Sequence, residues 1–83
     1  MILDLANIIG LIGSAIMVVA FAYSNVAARM NLILFNVMNL VGAAMLIASL
    51  SVHFNLASMA LEVVWAVIAL FGLIRAIARR GVA

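Results

Sequence analysis

The chain has 83 residues, of which 72% are hydrophobic and 7% charged, with four arginines and no lysine, cysteine or proline. Soluble domains carry about 25% charged residues, so this composition, with a mean hydropathy of +1.53, predicts an all-α integral membrane protein. The lack of cysteine excludes disulfides, thiolate metal sites and cysteine nucleophiles.

Three apolar runs each have the length that a helix needs to cross a bilayer, which is about 20 residues. They cover residues 5–23, 31–50 and 56–74, and a short basic tail occupies residues 75–83. The acidic start at Asp4 is unlike a signal peptide, so the first run is predicted to be retained as a helix. We therefore expect one three-helix transmembrane unit over residues 1–83, a three-transmembrane-helix bundle.

The positions of the arginines predict the orientation of this bundle. Because successive helices alternate in direction, the loop after the first helix and the tail after the third lie on the same side. All four arginines fall on that side: Arg29, Arg75, Arg79 and Arg80. The positive-inside rule then places the N-terminus outside and the C-terminus in the cytoplasm. The arginines are expected to anchor the protein at the lipid bilayer, and nucleic acid is not expected as a partner.

Glu62 is the one ionisable residue inside an otherwise apolar span, about 9 Å from the start of the third run. A carboxylate at that depth costs from about 2.5 to more than 10 kcal/mol, so it normally faces a partner or a wet cavity. Two interpretations stay open. Glu62 either belongs to a functional or proton-linked pocket, or it makes a structural hydrogen bond across the bundle.

Small and polar residues form one stripe on each helix. Small residues let helices approach closely, and Asn or Ser side chains form hydrogen bonds across the gap, so the three stripes are expected to face inward together. The predicted helix-packing residues are Gly10, Gly13, Gly42 and Gly72. The candidate substrate-binding residues are Glu62, Trp65, Asn36, Asn39 and Ser14. A structural alternative is open for three of these residues: Asn36 and Asn39 could form hydrogen bonds that hold helices together, and Trp65 could be a packing residue.

Enzyme motifs do not occur in the sequence: there is no nucleophile elbow, phosphate-binding loop or zinc-binding helix motif. One His and one buried Glu are too few ligands for a metal site within a single chain. We therefore expect neither an enzyme nor a bound metal or cofactor. Three helices of this size are also too few to enclose a solvated path, so a transport role would require at least a dimer.

The spacing of the polar residues resembles that of an uncharacterised family of small three-span bacterial membrane proteins. The residues that carry the resemblance are Asn36, Asn39 and Gly42 in an N-x-x-N-x-x-G run, Glu62 and Trp65 in an E-x-x-W run, and Gly72. More distantly, the layout is similar to the SemiSWEET and PQ-loop half-transporters. That similarity implies a parallel homodimer, with helix 3 packed between helices 1 and 2, that moves its solute by alternating access.

The sequence also departs from the PQ-loop pattern. The Pro-Gln pair that gives those transporters a hinge has no counterpart here, so a hinge would have to use Gly10 or Gly13. Their pocket Trp lies on helix 2 and their Asn on helix 3, whereas Trp65 lies on the third run and Asn39 on the second. These differences count against a sugar as the substrate and leave the dimeric three-helix bundle in place.

The sequence thus favours a homodimeric half-transporter in the bacterial inner (plasma) membrane, with a small polar or cationic solute in a central cavity. The alternative is a structural or regulatory membrane subunit that packs against a larger complex, with its polar stripes serving as an interface.

Overall fold

A computed structural model describes the backbone of residues 4–82 and the side chains of residues 4–79. It contains three α-helices: α1 (Leu5–Val26), α2 (Leu32–Leu50) and α3 (Leu56–Val82). Each is long and apolar enough to cross a membrane, and the candidate spans are Leu5–Val26, Leu32–Leu50 and Leu56–Arg79. The protein is therefore all-helical, and its three helices have the length and composition of a multi-pass membrane protein.

α3 is longer than the third apolar run, because it continues through the basic tail as far as Val82. Ala and Arg are good helix formers, and no Gly or Pro separates residue 74 from Gly81. Residues 75–82 of the expected tail are thus the last turns of α3. The side chain of Arg80, together with residues 1–3 and 83, lies outside the part that the structure describes.

Each helix begins at an Asp or Asn side chain that caps its first turn. Asp4, Asn31 and Asn55 each use Oδ1 to accept the backbone N–H three residues further on, at 2.8–3.0 Å. Such caps satisfy a donor that would otherwise have no partner, and each contributes about 1 kcal/mol. The caps explain why the helices start within a residue or two of the apolar runs.

α2 lies between the other two helices. It packs against α1 along one face and α3 along another, and within residues 4–82 no contact joins α1 to α3. The helix order implied by the SemiSWEET similarity, with the third helix in the middle, is therefore wrong for this chain. The reason is the short connections, residues 27–31 and 51–55, which make successive helices antiparallel neighbours.

The α1–α2 contact is a close approach of two backbones at Gly13 and Gly42. A Cβ atom added to Gly13 would lie 2.8 Å from the carbonyl oxygen of Gly42 and 2.9 Å from Cβ of Met45. One added to Gly42 would lie 2.5 Å from Cγ of Met17. Both glycines are buried, and their lack of side chains lets the two backbones approach.

Hydrogen bonds close the bundle at its two ends. Where α1 begins, the ring Nε2 of His53, in the α2–α3 loop, lies 2.9 Å from Oδ2 of Asp4. At the opposite end, the backbone N–H of Asn31 donates to the hydroxyl oxygen of Tyr23 at 2.7 Å. The backbone N–H of Asn7, and then His53, hold the pKa of Asp4 below its ordinary value. Asp4 therefore caps α1 and at the same time ties it to the α2–α3 loop.

Replacing Gly13 with Ala is expected to destabilise the bundle, because the backbone of α2 would have to move away from the added Cβ. Overpacking typically lowers the free energy of unfolding by about 1–3 kcal/mol, and the better helix propensity of Ala offsets about 1 kcal/mol of that loss. The added Cβ meets a backbone oxygen and a Cβ atom, which cannot rotate away, so the overpacking cost falls in the upper part of that range. A net loss of about 1–2 kcal/mol should appear as earlier unfolding in a titration with sodium dodecyl sulfate followed by circular dichroism.

The matched control is Gly72→Ala in α3. A Cβ at Gly72 would meet the amide of the Asn36 side chain and no backbone atom of α2, so only this side chain would have to shift, which strains its hydrogen bond to Leu32. This variant should therefore unfold closer to the wild type than Gly13→Ala does. Equal midpoints for Gly13→Ala and the wild type would contradict the close approach of α1 and α2.

Candidate functional site

A hydrogen bond between side chains joins α2 and α3 inside their apolar spans. The indole Nε1–H of Trp65 donates to Oδ1 of Asn39 at 2.9 Å, across 26 positions of sequence. Asn39 is 6% exposed, whereas Trp65 keeps 43% of its surface exposed. The bond therefore holds the polar edge of the indole against α2 and leaves much of the ring available for contact.

The two asparagines of α2 also bond to their own helix. Nδ2 of Asn39 donates to the carbonyl of Phe35, and Nδ2 of Asn36 donates to the carbonyl of Leu32, at 2.9 and 2.8 Å. The Asn36 amide lies in the space left by the missing side chain of Gly72. These bonds fix both amides in position, because donors in an apolar span are expensive to leave unpaired.

A cavity of about 120 Å³ opens beside the Trp65–Asn39 bond. Its wall consists of residues from α2 and α3: Phe35, Asn36, Asn39, Trp65, Ile68 and Ala69. The wall is mostly apolar, and its two amides are the only polar side chains apart from the indole N–H. Three of the five predicted substrate-binding residues, Asn36, Asn39 and Trp65, thus meet at one place.

Glu62 lies outside this wall, about one turn nearer the start of α3. Its Oε1 atom is buried, and among the described residues no donor reaches it. The Trp65–Asn39 bond and the contact of Gly72 with Asn36 set the register of α2 and α3. In that register Glu62 lies opposite residues 42–46 of α2, which are apolar. An oxygen atom in this position has lost water without gaining a partner.

Ser14 is separated from the other candidates, on the opposite side of α2. Its hydroxyl donates to the carbonyl of Gly10 at 2.9 Å, within α1. It lines a different groove, of about 300 Å³, with Asn7, Gly10, Leu11 and Leu46. Because α1 and α3 do not touch within the described residues, a single copy of the chain does not bring Ser14 to the Trp65 cavity.

The expected inward convergence of the three stripes is therefore replaced by two separate contacts. The α2 stripe is shared: Gly42 faces α1, and Asn36 and Asn39 face α3. Phe35 and Ile68 were not predicted as part of the site. They lie one helical turn from Asn39 and Trp65, at the i−4 and i+3 positions, and this spacing is the signal that could have identified them.

No group of three or more His, Asp or Glu side chains with the geometry of a metal site occurs among the described residues. Two arginines line depressions near the end of α3. Arg79 lines one of about 270 Å³ with Ala76 and residues 30–33, and Arg75 lines one of about 360 Å³ on α3. Both arginines lie at least 13 residues after Glu62 on α3, about 20 Å along the helix axis, so neither compensates the carboxylate.

Comparison with known proteins gives one finding about relationship. A family model matches residues 6–80, which is nearly the whole chain. The chain belongs to this uncharacterised family. No curated protein and no solved structure matches it. Family membership therefore brings no activity with it, and the similarity to SemiSWEET transporters stays a hypothesis.

The Trp65–Asn39 bond should be measurable as a coupling energy in a double-mutant cycle. Trp65→Phe removes the donor and Asn39→Leu removes the acceptor, and hydrogen bonds between transmembrane helices contribute about 0.6–2 kcal/mol. We expect a coupling energy in that range from unfolding in sodium dodecyl sulfate, followed by circular dichroism.

A second cycle that pairs Trp65→Phe with Asn36→Leu provides the control, because Asn36 does not accept from the indole. Its coupling should be close to zero. If the two cycles give the same coupling, Trp65 and Asn39 act only as neighbouring packing residues.

Proposed function

We propose that the protein is a half-transporter that works as a parallel homodimer in the bacterial inner membrane and admits a small polar or cationic solute to a central cavity. The observation that carries this proposal is the buried Oε1 atom of Glu62, which no donor among the described residues reaches. A carboxylate in an apolar span costs several kcal/mol unless something outside its own chain compensates it. A solute, or the second copy together with a solute, supplies that compensation.

The small size of the unit also supports a second copy in this proposal. Within the described residues α1 and α3 are not in contact, and the cavity beside Trp65 is smaller than the roughly 300 Å³ of an ordinary ligand site. Two copies related by an axis along the membrane normal would double the wall and exclude lipid from it. Most large apolar side chains are exposed in one copy, which leaves ample surface for both lipid and a partner.

The residues of the cavity have distinct roles in this proposal. Glu62 is the charged or protonatable contact, Trp65 is the stacking wall, and the free edges of the Asn36 and Asn39 amides are hydrogen-bonding groups. Ser14 contributes only if the dimer brings the α1–α2 groove of one copy against the α2–α3 cavity of the other.

The orientation belongs to the same proposal. Arg29, in the first connection, and Arg75 and Arg79, near the end of α3, lie at one end of the bundle, and Asp4 and His53 lie at the other. By the positive-inside rule the arginine end is cytoplasmic, so the solute enters from the side of Asp4 and His53 and passes Glu62 first.

A structural or regulatory subunit is the second candidate, and one observation favours it. The hydrogen bonds of Trp65, Asn39 and Asn36 are made inside the chain, as expected for groups that hold helices together. In that role Glu62 would bond to a residue of a different membrane protein, and no wet cavity would be needed.

Single cysteines in the cysteine-free chain distinguish the two candidates in native membranes. Ile68→Cys tests the cavity wall, and Leu70→Cys is the control. The control lies two residues away and thus about 200° around α3, at nearly the same depth. Ile68 and Leu70 are 63% and 47% exposed in one copy, so neither is protected by its own chain. The transporter predicts that a membrane-impermeant thiol reagent modifies only Ile68→Cys.

Cross-linking between copies completes the test. The transporter predicts dimers through Glu62→Cys or Ile68→Cys, and a loss of reagent access at residue 68 when a bulky side chain replaces Asn36. Equal protection of residues 68 and 70, together with cross-links to a different protein and none between copies, would contradict the transporter and establish the subunit.

A further inference from the structure

The cavity beside Trp65 has the size of a single six-membered ring. Its volume is about 120 Å³, and an apolar cavity of about 150 Å³ in another protein holds benzene. Phe35 and Trp65 supply aromatic surface, and Ile68 and Ala69 supply aliphatic surface. Flat rings are well suited to such a wall, because offset or edge-to-face contacts with aromatic side chains add to the gain from burial.

Among the side chains that the structure describes, no charged one lines the cavity, which limits what part of a ligand it can hold. Its polar side chains are the two amides and the indole N–H, and each already bonds within the chain. A charged group placed inside would gain too little to offset its lost hydration. The part of the ligand in the cavity is therefore uncharged.

A charged side chain that could bind a different part of the ligand, Glu62, lies one to two helical turns from the cavity. Glu62 precedes Trp65 by three residues and Ile68 by six, which corresponds to about 4.5–9 Å along the axis of α3. Its Oε1 atom is enclosed without a donor among the described residues. The other oxygen, Oε2, is not enclosed in this way, so an ammonium group at that distance from the ring could reach it and compensate the carboxylate while the ring fills the cavity. It would also lie near the exposed part of the indole, whose face attracts cations.

We propose that the α2–α3 cavity and Glu62 together bind an arylalkylamine, with its aromatic ring between Phe35, Trp65 and Ile68 and its ammonium group at the Glu62 carboxylate. This inference rests on the proposed function and narrows its solute from small polar or cationic molecules to this class. The wall comes from one copy of the chain, so binding of the ring does not itself require the dimer.

Trp65 is the only tryptophan, so its fluorescence reports directly on the site. The purified full-length protein in lipid nanodiscs is titrated with phenethylamine and, separately, with phenethyl alcohol, which has the same ring and chain length but no charge. Phenethylamine should change the emission saturably and bind about tenfold more tightly than the alcohol, as expected for an added ion pair in an apolar setting.

Two variants separate the contributions of the carboxylate and the ring. Glu62→Gln should lower the affinity for phenethylamine about tenfold, to that of the alcohol, and leave the alcohol unchanged. Ile68→Phe narrows the cavity from its exposed side and should weaken both probes alike. Ile68 is 63% exposed, so this change leaves the helix contacts intact, which the unfolding midpoint verifies.

A variant with its tryptophan at a different position distinguishes binding at the site from simple partitioning of the amine into the bilayer. In the double variant Trp65→Phe, Leu70→Trp the tryptophan is on the other side of α3, and phenethylamine should give only a small response without saturation. The inference is overturned if this variant matches the wild type, if Glu62→Gln binds the amine as the wild type does, or if neither probe saturates.

Failure of this inference can be distinguished from failure of the half-transporter. Thiol access and cross-linking between copies depend on assembly and water, and they need no ligand. A wet, dimeric cavity with no response to phenethylamine would retain the transporter and exclude this class of solute. Saturable binding by a chain that shows no self-association would retain the site and exclude the dimer.

Discussion

The close approach of α1 and α2 at Gly13 and Gly42 is the contact on which the rest of the structure depends. With no side chain on either residue, the two backbones meet, and α2 is held by α1 on one side while its other side remains free for α3. The Trp65–Asn39 bond then fixes the register of α3. In a bilayer this arrangement has a clear physical basis, because lipid offers no hydrophobic drive for helices to associate. Packing of small residues and a few hydrogen bonds must hold the bundle together.

The central position of α2 has a consequence for function. α1 and α3 remain apart within the described residues, so one copy of the chain encloses no path across the membrane. It presents a small aromatic cavity on α2 and α3 and, about one turn away, a carboxyl oxygen that no donor in the described part of the chain reaches. The amides of the cavity bond to their own helix, and this local bonding makes them rigid. A rigid wall beside a buried carboxyl oxygen that has no donor is suited to a ligand, because a donor group on the ligand would remove the cost of burying that oxygen.

Much of this fold could be predicted from the sequence, and the reasons are specific. Apolar runs of membrane-spanning length gave the number of helices, and Asp4, Asn31 and Asn55 explain their starts. Because glycines have no side chain, the sequence predicted helix contacts at Gly13, Gly42 and Gly72. The sequence did not reveal which helix lies in the middle, because three amphipathic stripes are compatible with any order until the short connections are considered. For the same reason it grouped Ser14 with Trp65, although the two residues lie on different sides of α2. Phe35 and Ile68 look like ordinary lipid-facing residues until the register of α2 and α3 is known.

Disulfide formation between pairs of introduced cysteines tests the central position of α2 most directly, because the chain contains no cysteine of its own. A pair at Gly10 and Ser49 joins α1 to α2, a pair at Asn36 and Gly72 joins α2 to α3, and a pair at Met17 and Ala69 would join α1 to α3. Contacts in the structure predict that the first two pairs oxidise within one chain and the third does not. Efficient oxidation of the Met17–Ala69 pair within one chain, with loss of the Gly10–Ser49 link, would place α3 beside α1 and contradict the account.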